Sequence, residues 1–181
     1  MKNLTALLGA VLLALALGPA AAQSPRDAMA SVNSSDTMVQ SPLPAADFVG
    51  QVGAKLRFII DAGALAQVKG DEDSKAFAKR IVFEQKDLLA ELQSLASRAP
   101  LRIMITPAAA EQDHNLIVEM RSLNGALFDD LYDPSQVRVH EEMVTLFERY
   151  ADNGDDAALR RWASRALPKL KRSLAVAVRL K

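Results

Sequence analysis

The segment from Ala45 to Val68 reads AADFVGQVGAKLRFIIDAGALAQV and decides the fold that we expect. Its apolar side chains recur at intervals of four, four, three and four residues, which places them on one stripe of an α-helix. Lys69 and Gly70 follow and predict its end. A helix of this kind buries its stripe against other helices, so the segment predicts a helical bundle. The stripe consists of Phe48, Val52, Leu56, Ile59 and Gly63.

A second amphipathic helix is predicted from Asp73 to Arg98. The stretch from Leu101 to Ile105 reads LRIMI and lacks the helical period, so we expect an extended connection laid across the bundle. Thr106 can then cap a shorter third helix, with Pro107 at its first position and an Asn-Gly pair after its end near Leu123. The apolar stripe of the second helix is Phe77, Ile81, Leu88, Leu92 and Leu95.

Two further long helices are predicted in the C-terminal third of the chain. Residues 127–132 suggest a short helical piece, and residues 133–136 read DPSQ, the pattern of a capping box. The fourth helix is expected to begin at this box and to end near Ala151. The fifth is expected to run from near Asp155 to the C-terminus, with a kink at Pro168. Their predicted inward faces are Val137, His140, Val144 and Phe147 on the fourth helix, and Leu159, Trp162, Ala163, Ala166, Leu170, Leu174 and Ala177 on the fifth.

These segments predict an all-α fold: an antiparallel four-helix bundle over residues 45–181, with the third helix as a short addition. The composition narrows the possible functions. Of the 181 residues, 50% are hydrophobic, 22 Lys+Arg balance 22 Asp+Glu, and none is Cys. The absence of Cys excludes disulfide scaffolds, thiol enzymes and Cys-ligated metal centres. The zero net charge argues against nucleic acid as a partner.

The first 22 residues, MKNLTALLGAVLLALALGPAAA, have the pattern of a cleavable secretory signal peptide. Lys2 precedes an apolar run at 4–17, and three alanines at 20–22 suit a signal peptidase. The run is shorter than the ~20 residues that span a bilayer, which favours a signal peptide over a membrane anchor. Residues 23–44 are rich in Ser and Pro and are predicted to form a flexible N-terminal linker. We therefore expect a periplasmic protein, and outer-membrane association stays open.

Five stretches of the chain carry a family resemblance: FVGQVGAKLRFIIDAGALA (Phe48–Ala66), KAFAKRIVFEQ (Lys75–Gln85), LNGALFDDLY (Leu123–Tyr132), VRVHEEMVTLFE (Val137–Glu148) and LRRWASRALPKLKRSLAVA (Leu159–Ala177). In this order they resemble a family of exported bacterial proteins with a ferritin-like fold, catalogued as domain of unknown function 4142. The resemblance implies a ferritin-like bundle and the cell envelope as its compartment. Because the family has no established common activity, the resemblance implies no particular reaction.

The resemblance also implies where a metal site would lie. Family members often carry a Glu in the first helix, an Asp-His pair in the second, and one His each in the fourth and fifth. The matching positions here hold Ile59, Glu84-Gln85, His140 and Ser173, and the spacing of these positions from neighbouring apolar residues predicts that Ile59, Gln85 and Ser173 point inward. One His and one carboxylate rarely bind a transition metal. We therefore regard His140 and Glu84 as a remnant of the family site, and we predict no bound metal and no cofactor.

The two histidines and the polar pair have alternative interpretations. His140 is either a remnant ligand or pH-sensitive group, or, as we favour, a semi-buried side chain bonded to Gln85, Glu84 or Ser173 across the core. Glu84 and Gln85 are likewise expected to be bonded across the bundle. His114 lies among polar residues and is assigned to the surface.

Pairs of carboxylates do not indicate catalysis in this chain. The Glu pair at 141–142 beside His140 suggests a metal ligand, but a solvated helix face is the favoured interpretation. The Asp pairs at 129–130 and 155–156 stand near helix starts, where capping explains them. The sequence contains no phosphate loop, no nucleophile elbow and no His-Glu-Xaa-Xaa-His motif. We predict no catalytic residues.

The fifth helix is strongly basic, with eight Lys or Arg residues from Arg160 to Lys181 and no acid. Such a face could contact an anionic membrane surface or another envelope protein. The favoured alternative is that these charges complement the helix dipole and pair with acidic neighbours such as Glu141, Glu148 and Asp129. The face opposite the apolar stripe carries Arg161, Arg165, Arg172 and Arg179.

Two functions of different classes follow. The favoured one is an exported, non-catalytic envelope protein with a binding or stress-related role. The other is a ferritin-like metal-binding protein or a metal-dependent oxidoreductase. The second function is less favoured, because the family ligand positions hold Ile59, Gln85 and Ser173, and none of these is a strong metal ligand.

Overall fold

Five α-helices form the secondary structure of the described part of the chain. The computed structural model describes residues 42–98, 100–105 and 111–180. In order, the helices are α1 (Ala45–Lys69), α2 (Glu72–Ala96), α3 (Glu111–Ser122), α4 (Ala126–Asn153) and α5 (Ala157–Ala177).

Strand structure is nearly absent from these ranges, so the all-α prediction is confirmed there. The described residues contain one isolated bridge, in which Leu43 pairs in parallel with Gly154. Leu43 is also buried, so the last residues of the predicted linker pack on the bundle. The predicted signal peptide and nearly all of the linker lie outside the described residues, as do Thr106 and Pro107.

The first helical hairpin, α1 with α2, follows the sequence pattern closely. The whole predicted stripe of α1 is buried, from Phe48 to Gly63. Asp71 caps α2, because its side chain accepts a hydrogen bond from the Ser74 amide at 2.8 Å. The predicted connection of residues 101–105 is non-helical, and its half-buried residues alternate with exposed ones. Leu101, Ile103 and Ile105 therefore pack against the core, whereas Met104 is exposed.

One prediction about the second hairpin, α4 with α5, is wrong. Residues 127–132 do not form a separate piece, since α4 runs unbroken through Pro134. Asp133 is not a helix cap but a buried residue whose carboxylate accepts a hydrogen bond from the Ser74 hydroxyl at 2.8 Å. Phe128 and Tyr132 are fully buried before the proline, and Val139 after it. Packing on both sides of Pro134 offsets the hydrogen bond that a mid-helix proline removes.

The fifth helix departs from its predicted bounds only at the end. Asp156 caps it by accepting hydrogen bonds from the amides of Ala158 and Leu159, at 2.9 and 2.8 Å. The helix continues through Pro168 and ends at Ala177, short of the predicted C-terminus. The predicted kink at Pro168 stays a prediction. Most of its predicted stripe is buried, namely Leu159, Trp162, Ala163, Ala166, Leu170 and Ala177.

The four long helices contact one another in a ring. Contacts are most extensive within the two hairpins, while α1 also contacts α4, and α2 contacts α5 over a smaller surface. Lys55 of α1 pairs with Glu142 of α4. Glu91 of α2 accepts a hydrogen bond from the Trp162 indole of α5 at 2.7 Å. The shorter α3 lies against α1 and α4.

Aromatic residues fill the core at one end of the bundle. The rings of Phe48 and Tyr150 stack with their centroids 3.9 Å apart. Phe147 and Trp162 adjoin them, with centroids 5.2 Å apart. These side chains come from the start of α1, the end of α4 and the start of α5, so this end of the bundle is held mainly by apolar burial.

Gly63 lets α1 and α2 approach closely, and this gives a test of the packing. A Cβ atom at Gly63 would lie 2.5 Å from a methyl carbon of Val82, whereas a Cβ at Gly50 of α1 would meet nothing within 4 Å. Gly63→Ala should therefore lower the free energy of unfolding by about 1–3 kcal/mol through overpacking. Gly50→Ala, the matched control, should raise it by about 0.5–1 kcal/mol. Denaturant unfolding measures both changes, and equal stability of the two variants would contradict this helix contact.

Candidate functional site

The positions matched to the family metal site all face the interior. Ile59 and His140 are fully buried, and Gln85 and Ser173 are 1% and 2% exposed. Glu84 is half-buried beside them. The predicted inward placement of Ile59, Gln85 and Ser173 is therefore confirmed.

His140 does not have the partners that the sequence suggested. Its Nδ1–H donates to the backbone carbonyl of Gln136 at 2.7 Å, one turn earlier in α4. This carbonyl is nearer in a helix than any side chain across the core. The bond fixes the tautomer and leaves the Nε2 lone pair buried, without a hydrogen-bond partner in the described part of the chain. Burial lowers the pKa of His140 to about 4, and the charge of Arg80 acts in the same direction.

The prediction that Glu84 and Gln85 are both bonded across the bundle is confirmed for Glu84 only. Glu84 is bonded across the bundle, because its carboxylate accepts a hydrogen bond from the Ser173 hydroxyl at 3.3 Å. The side-chain oxygen of Gln85 is buried and has no hydrogen-bond partner among the described residues. Buried polar atoms normally find partners, so Gln85 marks a polar spot inside an apolar layer.

His140 and Ser173 contact α2 at different heights. The His140 ring lies with its centroid 5.9 Å from that of Phe77, whereas Ser173 contacts Glu84. These two α2 residues are seven positions apart, about 10 Å along a helix at 1.5 Å per residue. The two family positions therefore have different partners on α2.

A row of polar side chains follows the inner face of α4, and we call Tyr132, Asp133, Gln136 and His140 the polar edge of α4. All four are at most 8% exposed. Each carries at least one buried side-chain atom that has no hydrogen-bond partner within the described ranges. Tyr132, Gln136 and His140 follow one another at intervals of four, and Asp133 lies three residues before Gln136, so all four share one helix face. Sequence analysis found only His140, although the spacing 132, 136 and 140 signals the row.

The polar edge is connected to the N-terminus of α2 through carboxylates. Asp129 accepts hydrogen bonds from the Asp71 amide with both oxygens, at 3.1 and 3.2 Å. The prediction that Asp129 caps its own helix is therefore wrong, because it satisfies an amide of the neighbouring one. Burial raises the pKa of Asp133 to about 6; the Ser74 hydrogen bond opposes this, and the charge of Asp129 adds to it. Burial also raises the pKa of Tyr132.

Metal-ligating side chains do not cluster in the described part of the chain. No three His, Cys, Asp or Glu residues there are grouped so that they could hold a metal ion. His114 is exposed, as predicted. Glu141 is exposed, whereas Glu142 is half-buried and pairs with Lys55 and Arg138. Glu142 is therefore part of an ion-pair network rather than of a solvated face.

Arg161, Arg165 and Arg172 form an exposed basic face on α5, and Arg179 is exposed just after the end of the helix. Of the acidic neighbours proposed for this helix, only Glu148 pairs with one of its cations in the described ranges, contacting Lys171 at 2.7 Å. The four arginines form no ion pair with any described residue. Pairing with acids therefore explains little of this charge.

A groove between α2 and α5 adjoins this face, and we call it the α2–α5 groove. One end measures about 340 Å³ and includes Phe77 and Leu180. The other measures about 350 Å³ and includes Lys169 and Ser173. Both ends include Arg80. The groove reaches buried Ser173 and half-buried Glu84.

A family described as a domain of unknown function, DUF4142, matches residues 28–180. The chain belongs to this family. Comparison with curated proteins gives no match. Among solved structures, one titled "CopM in the Cu(II)-bound form" is similar, with a TM-score of 0.63 at 12% identity. The alignment covers 76% of this chain and 95% of CopM. At this identity the likeness shows a shared helical fold between this DUF4142 chain and CopM.

Within the described ranges, no helix is both long enough and apolar enough to cross a bilayer.

Asp133 and His140 should oppose each other in the pH dependence of stability. Folding raises the pKa of Asp133 from 3.8 to about 6, so its contribution is fully present below the lower value and is lost as the pH rises through the higher one. Folding lowers the pKa of His140 from 6.5 to about 4, so its contribution is present above the upper value and is lost on acidification.

Asp133→Asn should therefore raise the free energy of unfolding at neutral pH by roughly 1–3 kcal/mol, since one pKa unit is about 1.4 kcal/mol. The amide oxygen can still accept the Ser74 hydrogen bond. On acidification this variant should lose stability more steeply than the native protein. Protonation of His140 still destabilises the fold, but the stability that the native protein gains when Asp133 is protonated is absent. Denaturant unfolding at several pH values measures both effects, with Asp130→Asn at an exposed position as the control. A D133N variant less stable than the native protein at neutral pH would refute this account.

Proposed function

We propose that this chain is an exported, non-catalytic helical-bundle protein of the bacterial cell envelope, and that it acts by binding. The observation that carries the proposal is the exposed basic face of α5 together with Arg179 just after its end; these four arginines have no acidic partner among the described residues. Clustered cations on one amphipathic helix attract anionic lipid surfaces. We propose an anionic membrane surface as the partner.

We also propose that the four long helices form an antiparallel, ferritin-like bundle. Residue pairs between neighbouring helices support opposite directions. Phe48 at the start of α1 stacks on Tyr150 at the end of α4, and Ser173 late in α5 bonds to Glu84, whereas Trp162 early in α5 bonds to Glu91. The short connections within each hairpin favour the same arrangement.

The periplasm is the proposed compartment, and the signal-peptide pattern of residues 1–22 is its support. The chain would then be released on the outer side of the inner membrane, with residues 23–44 leading into the bundle. In that compartment the basic face of α5 could meet anionic headgroups of either membrane.

Binding to anionic vesicles tests the proposed role. The mature protein should cosediment with phosphatidylglycerol vesicles at low salt and not with phosphatidylcholine vesicles. Each basic residue near an anionic surface contributes about 1 kcal/mol, so Arg161→Gln with Arg165→Gln should weaken binding about 30-fold. The matched control is Arg121→Gln with Arg149→Gln, two exposed arginines on other helices. Equal loss in the two pairs, or no binding by the native protein, would reject the role of α5.

A ferritin-like metal-binding or oxidoreductase function is the second candidate. One observation favours it: the buried Nε2 lone pair of His140 has no hydrogen-bond partner among the described residues, and neutral imidazole is a common metal ligand. Ile59 offers no donor atom, however, and Ser173 already donates to Glu84. CopM binds Cu(II), as its title states, but its similarity to this chain is one of fold. The residues present do not make a metal site.

Analysis of the exported protein tests both the compartment and the metal. The full-length chain should yield periplasmic protein that begins at or within a residue or two of Gln23, and metal analysis of that material should find less than stoichiometric copper, iron, manganese or zinc. Intact mass gives the N-terminus, and elemental analysis gives the metal. An intact Met1 on membrane-extracted protein would show an anchor instead. Stoichiometric metal that is lost in His140→Gln would favour the second candidate.

A further inference from the structure

The α2–α5 groove has the dimensions of a ligand site. The two helices contact each other over a smaller surface than the helices of either hairpin do, which leaves the space between them open. Its ends of about 340 and about 350 Å³ share Arg80 and Val176 and therefore adjoin each other. Small-molecule sites typically measure roughly 300–1,000 Å³.

Cations dominate the polar lining of the groove. Arg80, Lys169, Arg172 and Arg179 line it, against Asp73 and Glu84. In the described ranges none of the four cations forms an ion pair, whereas Glu84 accepts the hydrogen bond of the Ser173 hydroxyl. The groove therefore presents unpaired guanidinium and ammonium groups, which bind carboxylates and phosphates through charge-assisted hydrogen bonds.

Apolar side chains line part of the other end of the groove, beside the charged side chains of Asp73, Arg80 and Arg179. Phe77 is almost fully buried there, and the Arg80 guanidinium lies over its ring, 6.0 Å from the centroid. Val176 and Leu180 are partly buried against the core and extend the apolar lining. Exposed Ala76 also lines this end. Cationic and apolar surfaces thus follow one another along a single groove.

We propose that the α2–α5 groove binds one anionic amphiphile. The acidic headgroup lies against Arg80, Lys169 and Arg172, and the alkyl chain lies along Phe77 and Val176 toward Leu180. The charge of the groove selects an anion, and its apolar end requires a chain that a free inorganic anion lacks. This inference rests on the proposed binding role in the envelope, but its ligand is a single molecule in a groove rather than a bilayer surface.

Titration calorimetry with dodecyl phosphate, below the concentration at which it forms micelles, tests the proposal. The mature protein should bind one molecule, and inorganic phosphate and dodecyl maltoside should bind at least about tenfold more weakly, since each lacks one of the two contacts. Arg80→Gln with Lys169→Gln should weaken binding of dodecyl phosphate by at least about tenfold. The control pair Arg161→Gln with Arg165→Gln removes the same charge from the other end of α5 and should change it less than twofold, roughly.

A second pair of variants tests the apolar end. Ala76→Glu places a charge in the groove, whereas Ala90→Glu adds the same charge at an exposed position of α2 outside it. Only the first should abolish binding. Because both positions are exposed, both variants should keep the native fold.

Each result bears on the groove separately from the membrane surface. The proposal would be overturned if inorganic phosphate bound as tightly as dodecyl phosphate. It would also be overturned if R80Q/K169Q and R161Q/R165Q lost the same affinity for dodecyl phosphate, or if A76E and A90E did. A native protein that binds phosphatidylglycerol vesicles but no dodecyl phosphate would also overturn it, while the surface role of α5 would stand. Loss of vesicle binding in R161Q/R165Q with dodecyl phosphate binding intact would support it.

Discussion

Two carboxylates of α4 hold the N-terminus of α2, and this contact joins the two helical hairpins away from the aromatic end of the core. Asp129 accepts hydrogen bonds from the Asp71 amide, and Asp133 accepts one from the Ser74 hydroxyl. Asp71 in turn caps α2. The positive end of the α2 dipole favours these acids and offsets part of the cost of burying them. With the start of α4 fixed in this way, Gln136 and His140 turn toward the interior.

Helical periodicity was sufficient to predict most of the fold. The stripe of α1 and most of that of α5 are buried as expected, because apolar spacing depends on local geometry that any bundle must satisfy. The start of α4 could not be predicted in this way. The DPSQ tetrapeptide is a valid local start signal, but burial of Phe128 and Tyr132 and the bond from Ser74 to Asp133 extend the helix beyond it. Tertiary contacts of this kind have no signature in a single segment.

In the candidate site, too, the features that depend on local spacing were predicted and those that depend on distances between helices were not. The sequence located the inward positions Gln85, His140 and Ser173, because each lies one turn from apolar residues. It assigned His140 the wrong partner, since choosing between a carbonyl on the same helix and a side chain on another requires distances. The α2–α5 groove was not foreseen at all. It depends on how far apart two helices lie, and neither helix records that separation in its own pattern.

Pro134 also bears on how the molecule opens and closes locally. A proline has no amide hydrogen, so α4 lacks one bond of its helical ladder, the one that residue 134 would otherwise donate to the Asp130 carbonyl. Burial of Phe128 and the bonds of Asp129 and Asp133 to α2 stabilise the turns before the proline. We therefore expect the N-terminal turn of α2 and the first two turns of α4 to open together, so that amide hydrogens of both segments exchange at similar rates.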